Sequence, residues 1–373
     1  MQLETIKTPS LIVDFQRMKR NAETVSARAK ALNVALRPHV KTHRCAEIAR
    51  LQTADDFGGI MVSTLSEAHF FAANGFSDIT YGVPIERGKF AEAIEIAKTI
   101  ERFAVLTTDA ESVEELNRTA KRENAELDVF LKVDIGYHRC GVEPHTKEAF
   151  EIPRRITDSS NLNFAGILTH AGHAYHANTP NELLAVAHQE RDLMRGFAEK
   201  LRGEGIEVPT VSVGSTPTMS AIDNLEGITE LRCGNYIFYD AFQATLGSCK
   251  FSDCALTVLA AVVHRDATRR KIVVDAGAVA LSKDRGAVEF DQNCGYGRVY
   301  DLEGNDLNLR VGTLSQEHGE ILVEDENAFK NLKVGSRVRI LANHSCLTAL
   351  QHSHYHILDD GQIVARWEIN RGW

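Results

Sequence analysis

No apolar run in the chain approaches the roughly 18 residues that a membrane span requires, and the opening MQLETIKTPS lacks the basic-then-apolar layout of a secretory signal. Membrane partners are therefore not expected. Basic residues are outnumbered, 42 against 51 acidic, and the formal charge of −9 excludes a broad electrostatic attraction to nucleic acid or to anionic lipid. Cysteine is sparse and scattered: seven residues, an odd number, with no CxxC pair. That pattern excludes a disulfide framework and points to a reducing, cytoplasmic location. Proline is scarce as well, 8 residues against 26 glycines, in an otherwise ordinary globular composition of 43% hydrophobic and 25% charged residues. At 373 residues, two domains and a small-molecule ligand are the first expectation. Histidine is what the chain has in quantity. Twelve of its 15 residues fall between Arg37 and Val186 or close to Cys346, and imidazole is the side chain most used for proton transfer and metal binding near neutral pH.

From Asp14 to about Asp240, eight short apolar runs alternate with segments of helical periodicity: Val34–Val40, Gly59–Val62, Asp78–Tyr81, Phe103–Leu106, Leu127–Val133, Phe164–Thr169, Thr210–Val213 and Ile228–Leu231. Alternating β and α units imply a parallel sheet with crossover helices. Eight of them, with no early GxGxxG after a strand, predict a closed (β/α)8 TIM-type barrel over residues 14–240 rather than an open doubly wound sheet. Beyond Asp240 the texture changes to β-branched runs separated by Gly and Asn turns, from Ala255–His264 to Gln362–Ile369. These predict an all-β domain over 241–373, joined by residues 1–13.

Four motifs carry chemistry. In Leu36-Arg-Pro-His-Val-Lys-Thr-His43, Lys41 follows the first barrel strand, at the end where such barrels keep their active sites. There a desolvated neutral amine can form an imine with an aldehyde. A lone lysine after a strand is usually a surface residue; the flanking Pro38, His39 and His43 shift the balance. Ser212-Val-Gly-Ser-Thr-Pro217 and Arg232-Cys-Gly-Asn-Tyr236 lie at the seventh and eighth strand ends, the usual phosphate site of the fold. The loops Val133–Gly141 and Thr169–His176 offer rings to flank a flat cofactor and the Arg139 guanidinium to pair with a phenolate oxygen. Finally, Asn343-His-Ser-Cys346 reads as strand, where His344 and Cys346 at i and i+2 share a face and suit Zn2+ or another divalent cation with open coordination positions. His352, His354 and His356 repeat that spacing and form a lesser, rival metal face.

Together with Thr8-Pro9, Val274-Asp-Ala-Gly277, Gln316-Glu-His-Gly319 and the ending Arg371-Gly-Trp373, these motifs run in order along the whole chain. The combination resembles the fold-type III pyridoxal-phosphate enzymes of the D-serine dehydratase and D-threonine aldolase group, whose barrel is shared with alanine racemase. The resemblance implies that Lys41 carries pyridoxal phosphate. Gly214, Ser215, Thr216, Gly234, Asn235 and Tyr236 would bind its phosphate side, with Arg139, His170 and Tyr175 around the cofactor. The pyridine nitrogen would meet Glu230 or Arg232, the racemase branch favouring Arg232. His344 and Cys346 match the metal pair of the dehydratases, whereas the aldolase branch usually has a carboxylate as second ligand. The implied activity is conversion of D-serine to pyruvate and ammonia. D-threonine aldolase and D-threo-3-hydroxyaspartate dehydratase are the alternatives, and an amino-acid racemase or a non-catalytic pyridoxal-phosphate carrier the more distant ones. A homodimer is expected from the same resemblance.

Overall fold

The structure, a computed structural model, describes residues 2–54 and 57–373. It divides into two compact units, Thr24–Gly234 with Gly372–Trp373, and Met1–Glu23 with Asn235–Arg371. The divisions fall inside the first helix and just before Asn235, compared with the 14–240 boundaries expected from texture. No helix among the described residues is long and apolar enough to cross a membrane.

The chain opens with strand β1 (Ser10–Asp14) and helix α1 (Phe15–Ala31). Then come the barrel strands β2 (Ala35–Leu36), β3 (Ile60–Val62), β4 (Asp78–Pro84), β5 (Arg102–Thr107), β6 (Leu127–Lys132), β7 (Leu162–Leu168), β8 (Thr210–Val213) and β9 (Glu230–Leu231). Between them lie α2 (Ala46–Thr53), α3 (Leu65–Ala73), α4 (Phe90–Ala97), α5 (Ala110–Arg122), α6 (Lys147–Thr157), α7 (Pro180–Gly203) and α8 (Thr216–Ala221). Every predicted apolar run is a strand. All pair in parallel, in the order β2-β9-β8-β7-β6-β5-β4-β3. A parallel bridge between His39 and Met61 joins the two ends of that order, so the sheet closes as a (β/α)8 barrel.

Local sequence explains these elements. Strands such as Ile60–Val62 are apolar on both faces because a parallel sheet is covered on both. The helices are capped where the sequence offers an acceptor: Thr64 receives the Glu67 amide, Asp109 that of Ser112 and Thr179 that of Glu182. Inside the barrel, Met61, Ala104, Leu106, Phe130, Ala165 and Leu168 pack as one cluster. Removing the ring of Phe130 would cost about 3–5 kcal/mol. Toward the amino ends of the strands the filling is ionic. Buried Arg37 reaches Glu230 at 2.8 Å and Asp78 at 2.7 Å, and Arg102 bridges Asp78 and Asp128.

The other unit is a nine-stranded sheet that adds β10 (Leu256–Asp266), β11 (Lys271–Val274), β12 (Arg298–Tyr300), β13 (Asp306–Leu314), β14 (Gly319–Leu322), β15 (Arg337–Leu341), β16 (His354–Asp359) and β17 (Gln362–Glu368). β1 lies between β10, antiparallel, and β16, parallel, with Leu11 opposite both Val258 and Tyr355. Three strands of this unit, β1, β13 and β16, were missed from sequence. β13 carries a bulge that breaks its alternation, and β16 alternates histidine with apolar residues. Short helices α9 (Ala241–Leu246), α10 (Ala278–Leu281), α11 (Glu326–Asn331) and α12 (Ser345–Ala349) connect the strands.

Candidate functional site

The carboxyl end of the barrel is organised first around the loop after β2. The His39 amide donates to the Cys233 carbonyl at 3.1 Å, anchoring the start of the 3-10 turn Val40–Thr42 that presents Lys41 at an exposed position. A Cβ on Gly234 would stand 2.3 Å from the His39 carbonyl oxygen. Close backbone approach accounts for that glycine without a ligand. The histidines flanking Lys41 differ in kind. His43 is fully buried, its Nε2 2.8 Å from Gln52 Oε1 and its Nδ1 accepting the Cys45 amide, and burial pushes its pKa down to about 3. It belongs to the framework. His39 has a buried Nδ1 with no hydrogen-bond partner, and burial, then Lys41 and Arg232, hold it neutral.

Four cations converge here: Lys41, Lys132, Arg139 and Arg232. Burial, followed by Arg232, Lys132, Lys41 and Arg139, lowers the pKa of His170. Lys132, at the end of β6, is pushed well below the ordinary lysine value by burial and by Arg232 and Arg139. Nothing in its sequence context singled it out, since a lysine ending a strand is ordinary. Arg232 is 6% exposed, and its Nε and Nη2 are buried without partners. Burial lowers its pKa to about 10 although Glu190 and Glu230 oppose the shift. Glu230 itself is fully committed, one oxygen to Arg37 Nε and the other to Ser212 Oγ at 2.7 Å. Of the two candidates, Glu230 on β9 and Arg232 just after it, only Arg232 keeps donors to offer.

Carboxylates set the surrounding loops. Glu190 of α7, buried and not anticipated from sequence, accepts the Ala171 amide at 3.2 Å and the Gly214 amide at 3.1 Å on the same oxygen. It ties the loop after β7 to the loop after β8. Gly214 has φ +113°, a left-handed conformation that favours glycine. Ser215 and Thr218 then form a reciprocal capping box at the start of α8, which commits the Ser215 amide and hydroxyl and leaves Thr216 as the first helical residue. In the loop after β6, Asp134 Oδ1 accepts the amides of Gly136, Tyr137 and His138. The Tyr137 ring packs edge-on to His170 at 6.1 Å and against Gly172, where a Cβ would overlap it. Arg139 lies exposed over that ring at 5.1 Å, and Tyr175 is half-buried in the 3-10 turn Gly172–His176.

In the β-rich unit, the strand expected at His344–Cys346 is absent. His344 is the extended residue that precedes α12, and Cys346 lies in that helix's first turn. The two side chains still meet, because the chain turns between them, and a hydrogen bond joins the imidazole and the thiol. His344 Nδ1 is 2.6 Å from Asp284 Oδ2. Burial opposes charge on that ring, but Asp284 and then Cys346 outweigh it and the net shift is upward. Asp240, buried and also unanticipated, accepts the Ser345 amide at 3.0 Å and Asn235 Nδ2 at 2.8 Å, while Asn235 Nδ2 also lies 3.6 Å from Cys346 Sγ. Tyr236 is buried beside Asn235 in the 3-10 turn Asn235–Ile237. The rival face dissolves: His352 Nε2 bonds to the Ala280 carbonyl, His354 Nδ1 to Ser353 and Arg366, and only His354 and His356 lie on β16. Among the described residues, no group of three His, Cys, Asp or Glu side chains is arranged to hold an ion.

These observations test the implied groups. A dianionic, flat, nitrogen-bearing cofactor fits the barrel end, where four cations gather and Arg232 Nε and Nη2 are buried donors without partners. A divalent cation fits the other site as a two-ligand, open one, through imidazole and thiolate with the second imidazole nitrogen already engaged.

Residues 13–241 match the family model "Alanine racemase, N-terminal domain", and residues 255–358 match "Putative serine dehydratase domain". The chain is 36% identical to D-threo-3-hydroxyaspartate dehydratase of Delftia sp., over 100% of this chain and 99% of that one. It is 35% identical to D-serine dehydratase of Dictyostelium discoideum, over 100% and 98%. The solved structure of the Delftia enzyme superposes with a TM-score of 0.96 at 35% identity, covering all of both chains, and a cysteine-to-alanine variant of it is known in a metal-free form. The chain is thus an enzyme of the alanine racemase-like, fold-type III family of pyridoxal-phosphate-dependent proteins, in the lyase group that contains D-serine dehydratase, D-threonine aldolase and hydroxyaspartate dehydratase.

Proposed function

We propose that this chain is a pyridoxal-phosphate- and metal-dependent dehydratase of D-3-hydroxy amino acids, converting D-serine to pyruvate and ammonia. The observation that carries the cofactor half is the Arg232 guanidinium, its Nε and Nη2 buried without partners, among Lys41, Lys132 and Arg139. Bound there, the cofactor supplies an electron sink for negative charge at Cα. Lys41 would hold the cofactor, and its Nζ is the amine that would take the Cα proton. Arg232 would donate to the ring nitrogen without surrendering its own proton, and neutral His39 and His170 would add no further positive charge beside it. Gly214, Ser215, Thr216, Gly234, Asn235 and Tyr236 form the phosphate side.

Hydroxide is a poor leaving group at neutral pH, and a divalent cation supplies the Lewis acidity that stabilises its departure from Cβ. His344 Nε2 and Cys346 Sγ are the donors that hold such an ion. Cys346, where the resemblance gives aldolases a carboxylate, favours loss of the hydroxyl over Cα–Cβ cleavage. The nearly equal identity to the Delftia enzyme supports a second reading, in which D-threo-3-hydroxyaspartate is the substrate and oxaloacetate with ammonia the products.

The test is a product assay on D-serine, D-threo-3-hydroxyaspartate and D-threonine, with and without chelator. Chelator-sensitive ammonia release from the first two supports dehydration, and their relative kcat/KM chooses between them. Glycine plus an aldehyde from D-threonine, with no ammonia from any of the three, would replace the dehydratase by an aldolase.

A further inference from the structure

Asp284 has no place in the scheme above, yet its geometry toward His344 is closely defined. One oxygen, Oδ2, lies 2.6 Å from His344 Nδ1. The other, Oδ1, accepts the Gly286 amide at 2.8 Å, and the Asp284 amide donates to Ser282 Oγ at 3.0 Å. The carboxylate is thus held from its own backbone and from the next turn. The segment carrying it is fastened to α12: Thr348 Oγ1 donates to the Leu281 carbonyl at 2.9 Å, and His352 Nε2 bonds to that of Ala280 at 3.0 Å. Ser282, at φ +68°, keeps a left-handed backbone at the turn between α10 and Asp284, a conformation that a serine adopts only when its surroundings impose it.

An imidazole has two nitrogens, and only one can take a cation while the other holds a proton. With the carboxylate acceptor fixed on Nδ1, the proton stays there and Nε2 presents its lone pair. We propose that Asp284 is a positioning residue: it fixes the tautomer and ring orientation of His344 so that Nε2, with Cys346 Sγ, binds a divalent cation. Asp284 does not act as a third ligand. Its near oxygen already faces Nδ1, and no three-donor group is formed among the described residues. The inference rests on the proposed metal-dependent reading and extends it to a residue outside the motif.

The experiment measures Zn2+ affinity of the full-length, cofactor-loaded protein by competition with a chromophoric chelator, for wild type, Asp284→Asn and Asp284→Glu. The visible spectrum with Co2+ in place of Zn2+ and the melting temperature of the metal-free protein are recorded in parallel. Asp284→Asn is expected to weaken Zn2+ binding about 10–100-fold, with the Co2+–thiolate band retained and the metal-free melting temperature unchanged. Asp284→Glu, which restores the charge on a longer arm, should recover part of the loss. Three results overturn the inference: equal affinity in wild type and both variants, a Co2+ spectrum altered as by loss of a ligand, or a metal-free melting temperature that falls in step with affinity. If wild type itself binds no Zn2+, the metal-dependent reading fails and this inference with it; if wild type binds and Asp284→Asn binds equally, only this inference fails.

Discussion

The carboxyl end of the barrel and the loop around α12 use the same side chains to opposite ends. In the barrel, Glu190 and Asp134 accept backbone amides, which shapes the loops around Lys41, Lys132, Arg139 and Arg232 and leaves Arg232 Nε and Nη2 without hydrogen-bond partners. Around α12, Asp284 and Asp240 act on the functional segment itself, one on the His344 ring and the other on the Ser345 amide between the two soft donors. One region therefore offers buried donors among cations and the other oriented lone pairs. Where a buried carboxylate directs its acceptors decides which sign of ligand each region fits.

That contrast can be broken most severely at Lys41. Lys41→Ala should cut turnover by roughly 10³-fold or more, and pyridoxal phosphate should be lost on dialysis, read as disappearance of its visible absorbance; full turnover would remove the barrel end from catalysis. Next comes the other region. Chelation should lower ammonia release from D-serine roughly 100-fold, reversibly on adding Zn2+, while the cofactor absorbance stays in place. Loss of both together would mean the two ligands are not separately held.

A smaller effect is expected from Glu190→Ala, which removes the one oxygen that accepts both amides. Pyridoxal phosphate affinity should fall about tenfold and the melting temperature by a few degrees. An unchanged affinity would show that the loops after β7 and β8 hold without it. Smallest is a pH effect of the framework. His43 has its pKa depressed from 6.5 to about 3 in the fold, so the unfolded chain binds an extra proton between those values. Its contribution to stability is intact above about pH 6.5 and lost as pH falls toward 3, by up to about 1.4 kcal/mol per pH unit. Urea unfolding between pH 4 and 7 should therefore show a shallower slope in His43→Asn than in wild type. An identical slope would mean that another group carries the acid sensitivity.

How far the site was legible in sequence depended on how local its signal was. Lys41, Gly214 and Ser215 could be named as candidates because each sits a fixed step after an apolar run, and strand ends are where such barrels converge. Glu190, Asp284 and Asp240 were not. They act 24 and 60 residues from Gly214 and His344, and 105 from Ser345, and no spacing rule joins them. The histidines near Lys41 looked alike in sequence, but Gln52 and the Cys45 amide assign His43 to the framework and leave His39 with an unused nitrogen.

The sequence by itself determined the eight-fold β/α alternation, the change to β-branched runs after Asp240 and the identity of the candidate donors, because periodicity and residue chemistry are properties of neighbours along the chain. Only the tertiary structure decided that β1 lies between β10 and β16, that His344 and Cys346 meet at the start of a helix rather than on a strand, and that Arg232 rather than Glu230 keeps free donors. Each of those outcomes turns on which distant group occupies a hydrogen-bonding position first, and that is settled only when the chain is packed.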